Sequence, residues 1–435
     1  MVIQSRALIF ASENILESEK MNVQSAKIHI IGGGVSGLVA AIVLEKNGFS
    51  PVIIETTDRV GGRVKTDLVE HYQLDHGFQV LLTAYPAAKK YLDFQALDLQ
   101  AFLPGATTFF KGSQKTIGDP LRAFSLLMPT LCSGIGTFSD KVKVLQLNQL
   151  LKNTSVETIF AKPEKATLDY LQDFGFSQEM INRFFKPFFA GIFLENQLST
   201  SSRMFEFVYK MFGEGLATLP KSGIEAIPIQ LKSRLNNTTF LWNTKVKSVR
   251  DQHIILENGT EIPTDFSIIA TDANEFLLEK EFPKVAWKSC TTLYFETNHK
   301  SSNKPLIGLI ADAEALINNI FYHTNVQTSQ SGGKELLSVT VVKKHNLSDE
   351  ALQKQVAIEL EQFCNIKNVR FIKMYSIKRA LPDLQNLKYS LQSEETQVSS
   401  HIFLAGDTRL NGSLNAAMLA GESAALGVVN AVSKV

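Results

Sequence analysis

Apolar and polar positions near the start of the chain fall into three consecutive blocks. Residues 27–31 (Lys-Ile-His-Ile-Ile) read as a short apolar strand. Leu38, Val39, Ile42 and Val43 then recur at helical spacing over 38–47, and Gly48 stops the run. Residues 51–55 form a second short strand, which completes a βαβ unit. Further along, 239–250 and 253–262 read as two strands with a hairpin turn at Asn258-Gly259, and 266–270 as a buried strand. Strands are also predicted at 291–296, 336–343 and 369–378. Between the last two lies a helix with Ser348 as N-cap and Leu352, Val356, Leu360 and Phe363 on one face. The strand 401–405 runs into a helix of small residues that opens within 411–421. The pattern predicts an α/β protein.

The turn after the first strand carries Gly32, Gly34 and Gly37 in the spacing GxGxxG, with Val35 and Ser36 between the last two. Glu55 stands at the end of the second strand, 23 residues beyond Gly32. Gly32 permits the tight turn, Gly34 lets a pyrophosphate approach the backbone, and Gly37 lets helix and strand pack closely. The helix N-terminus offers unpaired amides and a positive dipole end, and Glu55 can accept hydrogen bonds from a ribose. Strand, glycines, helix, strand and acid in this order predict dinucleotide binding.

Other segments decide which dinucleotide. Asp58-Arg59-Val60-Gly61-Gly62-Arg63-Val64-Lys65-Thr66 follows the acid, and Leu74-Asp75-His76-Gly77-Phe78-Gln79 comes next. Near the other end stand Gly406-Asp407 and Asn411-Gly412-Ser413-Leu414-Asn415-Ala416. Together these segments resemble the flavin-containing amine oxidase superfamily, which includes protoporphyrinogen oxidases and phytoene (carotenoid) desaturases. The resemblance implies FAD, with Gly62 and Arg63 near the pyrophosphate and Gly77, Phe78 and Gln79 near the flavin ring. It implies Asp407 at the ribityl chain and the helix end at Leu414 and Asn415 facing the pyrimidine. Val246, in Thr-Lys-Val-Lys-Ser-Val, matches the strand whose backbone meets the adenine. Two positions depart from the family pattern: Thr57 stands where a basic residue is common, and Ala416 where a glycine is. No cysteine follows Cys364, so the near-C-terminal thiol that anchors flavin in some relatives is missing and noncovalent FAD is expected.

The implied fold is a Rossmann-like FAD-binding domain of the two-dinucleotide-binding-domain type, interleaved with an α+β substrate domain. The expected boundaries are 26–79, 216–283 and 399–435 for the FAD-binding domain, and 80–215 with 284–398 for the substrate domain. Residues 1–25 are expected to be an N-terminal extension.

Composition excludes several classes. The chain has 435 residues, 44% hydrophobic and 20% charged, which suits a folded protein of more than one domain. Its net charge of +1 provides no field for nucleic acid. No apolar run reaches the roughly 18 residues needed to span a bilayer. Three dispersed cysteines, Cys132, Cys290 and Cys364, suggest neither a disulfide framework nor a metal site, and point to a reducing, cytoplasmic setting. No sequence feature sets the oligomeric state.

Substrate-side candidates are weaker. Eleven aromatic residues crowd into 174–212, where core packing competes with a wall for a large apolar substrate. Residues 121–135, interrupted by Pro129, read as a helix buried in the substrate domain, with a peripheral membrane contact as the competing reading. Lys378, Arg379 and Tyr389 are candidates for polar groups over the flavin. No hydrolytic triad, HExxH or P-loop lysine is present, so the catalytic side chains stay unassigned and the chemistry is expected from the flavin. The leading expectation is an FAD-dependent oxidase or desaturase that takes hydride from C–H or C–N bonds of an apolar small molecule. A carotenoid-type isomerase using reduced flavin, an amine oxidase proper and a non-catalytic flavoprotein are the alternatives.

Overall fold

The computed structural model describes residues 26–277, 284–298, 300 and 302–434; the expected extension at 1–25 lies outside them. The chain divides into two compact units, each assembled from separated segments.

The first unit takes in the described residues of 26–62, 228–284 and 390–434. Its centre is a five-stranded parallel sheet in the order Thr239–Leu241, Val52–Ile54, Ile28–Ile31, Phe266–Ile269, Ile402–Leu404. The three central strands are almost wholly apolar and buried, as expected of a parallel sheet covered on both faces. The helix Val35–Lys46 is buried from Val35 to Leu44 without a break, not along the single predicted stripe. The reason is a second helix, Leu414–Val432, packed against it. A Cβ on Gly421 would fall 2.2 Å from the carbonyl oxygen of Ser36, so the two backbones approach as only glycine allows.

The predicted pair at 239–250 and 253–262 is divided differently. Thr239–Leu241 joins the parallel sheet, while Val246–Arg250, His253–Leu256 and Glu261–Pro263 form an antiparallel meander. The Asn258-Gly259 turn does connect two strands, with Gly259 at φ +84° and its amide on the Leu256 carbonyl.

The second unit contains 63–227 and 285–389. The first division along the chain falls at 62/63; residues 63–79 and 216–227 belong to the larger unit and 390–398 to the first, which differs from the boundaries expected from sequence. A seven-stranded sheet runs in the order Arg370–Asp383, Ala286–Thr297, Glu335–Val341, Ile317–Tyr322, Ile307–Ile310, Gly105–Phe110, Ser113–Gly118. All its pairings are antiparallel except that between Ile307–Ile310 and Gly105–Phe110. The helix Asp349–Cys364, capped by the Ser348 hydroxyl, places Leu352, Val356, Leu360 and Phe363 in the core of this sheet as predicted.

A group of helices between 138 and 214 completes the unit. Within it Phe185, Phe189 and Phe205 are fully buried and pack on one another, with Phe189 and Phe205 4.7 Å apart, while the buried Phe207 packs on Tyr85 and Phe160. Core packing accounts for these four members of the aromatic run. The expected burial of 121–135 is contradicted. Leu126, Thr130, Ser133 and Ile135 are buried, but Leu121, Phe124, Met128 and Leu131 stand in solvent. Among the described residues no helix is long and apolar enough to cross a membrane.

Candidate cofactor site

The glycine turn of the first unit is shaped by three different constraints. Gly32 has φ +104°, a conformation that disfavours side chains, and its amide bonds the Ile54 carbonyl of the neighbouring strand. A Cβ on Gly37 would lie 2.1 Å from the carbonyl oxygen of Gly32, so the third glycine is demanded by the fold itself. Gly34 is the N-cap of the helix, without a side-chain cap, and a Cβ built there meets nothing within 4 Å. The protein alone does not explain glycine at 34. Helix-terminal amides and the dipole at such an open end favour an anion.

Glu55 is buried beside this turn. Its Oε2 accepts the Gly33 amide at 2.7 Å, and Oε1 accepts the amide and hydroxyl of Thr57 at 2.9 and 2.8 Å. Three donors fix the carboxylate and leave one lone-pair direction on Oε2, enough for a ribose hydroxyl. Thr57, which replaces the family's basic residue, thus serves to orient the acid.

The next glycine pair folds back on the first. The Gly61 amide donates to the Gly33 carbonyl at 3.0 Å, and a Cβ on Gly62, at φ +60°, would sit 3.5 Å from the Gly34 Cα. The C-terminal segment joins the same place, since the Gly406 amide donates to the buried Ser36 hydroxyl at 2.9 Å. Asp407 is buried immediately after. Its carbonyl accepts the amides of Leu410 and Gly412, which turns the chain toward the last helix. That helix begins at Leu414, with the Ser413 hydroxyl accepting the Ala416 amide and Asn415 buried in the first turn. Gly32, Gly34, Val35, Ser36, Gly37, Glu55, Gly62, Gly406 and Asp407 therefore lie on one connected framework. Val246 points into the core with Leu256 and Ile254, which leaves only its backbone for any ligand contact.

In the second unit, the Arg63 guanidinium lies 5.3 Å from the Trp287 ring centre and donates to the Ala380 carbonyl at 3.2 Å. The Gln79 amide spans the Arg63 and His76 carbonyls at 3.0 and 2.9 Å, and Gly77 at φ +90° makes the bend between them. The Phe78 ring meets Phe102, Phe321 and His323. His323 is fully enclosed, bonded to the Ser338 hydroxyl at 3.0 Å, and burial pushes its pKa down to about 4, so the imidazole is neutral at pH 7. Asp75 is also enclosed. Burial raises its carboxyl to about 6 although the Thr66 hydroxyl and Ile224 amide both donate to it.

Within the first unit, the open helix end at Gly34 and the fixed carboxylate of Glu55 have the chemistry to hold a phosphate and a ribose. A family model described as flavin containing amine oxidoreductase matches residues 35–429. The chain belongs to that family. It is accordingly an FAD-dependent oxidoreductase, as its motifs imply. It is 25% identical over 186 residues to protoporphyrinogen oxidase 2 of Arabidopsis thaliana, a match covering 42% of this chain and 35% of that protein. Its fold is that of a solved cyclohexylamine oxidase from Brevibacterium oxydans (TM-score 0.66, 14% identity, 93% of this chain and 99% of the other). A redesigned double mutant of putrescine oxidase is similar (TM-score 0.67, 15% identity, 93% and 99%).

Of the substrate-side candidates, Lys378 and Arg379 are exposed on the strand Arg370–Asp383, and Tyr389 packs with Phe160 and Phe207. Sequence reasoning missed Phe102, Phe321 and His323, which reach Phe78 from more than 20 and more than 240 residues away. It also missed Trp287 beneath Arg63. The only local signal for His323 is its place directly after the strand Ile317–Tyr322, and nothing local points to its partner.

Proposed function

We propose that this oxidoreductase takes hydride from a C–H bond of an apolar small molecule, a C–H beside nitrogen being the amine case. The observation behind the reading is the surroundings of Phe78, where Phe102, Phe321 and a neutral His323 are the rings in contact. A protonated amine placed there would lose hydration without gaining a charged partner, whereas an apolar substrate loses nothing. The nearby carboxyl of Asp75, raised to about 6 and so mostly ionised at pH 7, is already engaged through Oδ1 by the Thr66 hydroxyl and the Ile224 amide.

FAD, when bound, supplies the two-electron acceptor. The chain's share is positional. Glu55 and the open turn at Gly34 hold the dinucleotide end, and Arg63 and Gln79 fix the bend that carries Phe78. Phe78, Phe102 and Phe321 exclude water from an apolar guest.

The test is anaerobic addition of polyenes, porphyrinogens and small amines in separate titrations, with the oxidised flavin absorbance followed. Bleaching by members of the first two groups is expected. Bleaching by amines alone reverses the substrate assignment. Turnover that requires pre-reduced flavin and yields an isomer replaces the oxidase reading with the isomerase.

A further inference from the structure

We propose that His323 presents its Nδ1 to the substrate as a hydrogen-bond acceptor, so that the enzyme selects an apolar molecule carrying a neutral N–H or O–H donor. The inference rests on the reading of the Phe78 surroundings as the place of an apolar guest. To that reading it adds the one polar feature the guest must have.

The strands decide which way the imidazole faces. Ile320 and Tyr322 of the strand Ile317–Tyr322 lie in one core with Leu337, Val339 and Val341 of the neighbouring strand, together with the helix Asp349–Cys364. Alternation turns Phe321 and Ser338 to the opposite face of the sheet. His323 joins them there, with Nε2 3.0 Å from the Ser338 hydroxyl and its ring edge-on to Phe321 and Phe78. Tyr294, from the strand on the other side of Ser338, brings its ring to 5.6 Å.

Ser338 fixes the position of the imidazole proton. Its hydroxyl has one proton, which it donates to the Phe321 carbonyl at 3.4 Å. The same oxygen therefore accepts from His323, which puts the imidazole proton on Nε2 and leaves the lone pair on Nδ1. No donor reaches Nδ1 among the described residues.

An enclosed acceptor without a donor is costly, and folded proteins rarely keep one. The neighbouring polar groups are already engaged: the Tyr294 hydroxyl donates to the Asp75 carbonyl at 2.9 Å, and the Asn319 amide to the Thr340 hydroxyl at 3.3 Å. Thr292, further along the same face, provides a contrast. Its hydroxyl is also unpartnered, but the residue is 0% exposed, whereas His323 retains 5% of its surface.

The acceptor sets the chemistry of the guest. A neutral nitrogen among Phe78, Phe321 and Tyr294 suits a heteroaromatic N–H or a hydroxyl on an apolar frame. It does not balance the charge of an ammonium ion. A pure hydrocarbon would leave Nδ1 enclosed with no partner, and that penalty is the source of selectivity. Burial keeps the imidazole from taking a second proton at pH 7, so the acceptor persists.

The probes are indole, which carries an N–H, and indene, which has the same shape without one. Calorimetric titration of the full chain loaded with FAD gives the ratio of their dissociation constants in wild type, in His323→Phe and in Ser338→Ala, which frees the tautomer. Wild type should favour indole over indene about tenfold more than His323→Phe does, with Ser338→Ala between them and all three flavin spectra alike. Nitrogen NMR of wild type labelled at histidine should show an imidazole with its proton on Nε2, a signal absent from His323→Phe. Its Nδ1 resonance should move on addition of indole and not of indene. Should His323→Phe fail to fold, the wild-type spectra and Ser338→Ala decide. Equal ratios in wild type and variants, or a proton on Nδ1, overturn the proposal while leaving an apolar guest beside Phe78. Binding of neither probe overturns both.

Discussion

The hydroxyl of Ser36 accepts the amide proton of Gly406 at 2.9 Å, across 370 positions of sequence. Ser36 lies in the first turn of the helix Val35–Lys46, and Gly406 follows the strand Ile402–Leu404. Ser36→Ala leaves a buried amide without its acceptor, a cost of about 1–3 kcal/mol. Thermal unfolding should shift down without added FAD, and the FAD concentration needed for half-saturation should rise. Unchanged values for both would mean that the bond is incidental.

Gly34 and Gly37 separate cofactor constraint from fold constraint. A methyl group at 37 collides with the Gly32 carbonyl, whereas at 34 it meets no protein atom. Gly37→Ala should therefore reduce soluble protein or lower its unfolding temperature. Gly34→Ala should fold normally and bind FAD weakly or not at all. Calorimetry with and without FAD distinguishes the two, and equal behaviour would contradict the assignment of the open helix end to the dinucleotide.

Glu55→Gln keeps the shape of the side chain but sets a donor against Gly33 or Thr57, both of which already donate. Arg63→Ala removes the cation over Trp287. Each should weaken FAD binding by about 1.5–3 kcal/mol, roughly tenfold or more, with a near-normal folded spectrum. Fluorescence titration of the apoproteins measures this directly. Full affinity in both variants would place the cofactor elsewhere.

Asp75 and His323 make opposite contributions to stability against pH. The Asp75 carboxyl is raised from 3.8 to about 6, so the folded state holds its proton longer and stability falls as pH rises across that window. The His323 imidazole is lowered from 6.5 to about 4, so the unfolded state binds the proton first and stability rises from pH 4 to 6.5. The two slopes oppose each other in the wild type. Asp75→Asn should unmask a stability that climbs with pH, and His323→Gln one that declines. Urea midpoints between pH 4 and 7 report both, and parallel wild-type and variant curves would show that neither group is shifted.

The cofactor framework was legible because its requirements are local. A turn needing Gly32, a close approach needing Gly37 and an acid at a strand end leave marks within one βαβ unit. The wall around Phe78 was not legible, since Phe102, Phe321 and His323 arrive from separate strands and loops, and each alone looks like core. Residues 121–135 misled for a related reason. An apolar run without a polar face usually indicates burial, but only a tertiary partner can bury it, and here the strand Ser113–Gly118 covers one side alone.

Acid precipitation of the purified, FAD-reconstituted protein tests the account most directly. Cys364 is buried, and His76 is engaged with Asp67 at 2.8 Å and lies tilted against Tyr375 at 4.4 Å, so neither is set to hold flavin covalently. The protein should be yellow, with close to one flavin per chain, and the supernatant should contain all of it as FAD. A protein that takes up no flavin, or colour that stays in the pellet, would contradict the site described for Gly34, Glu55 and Asp407.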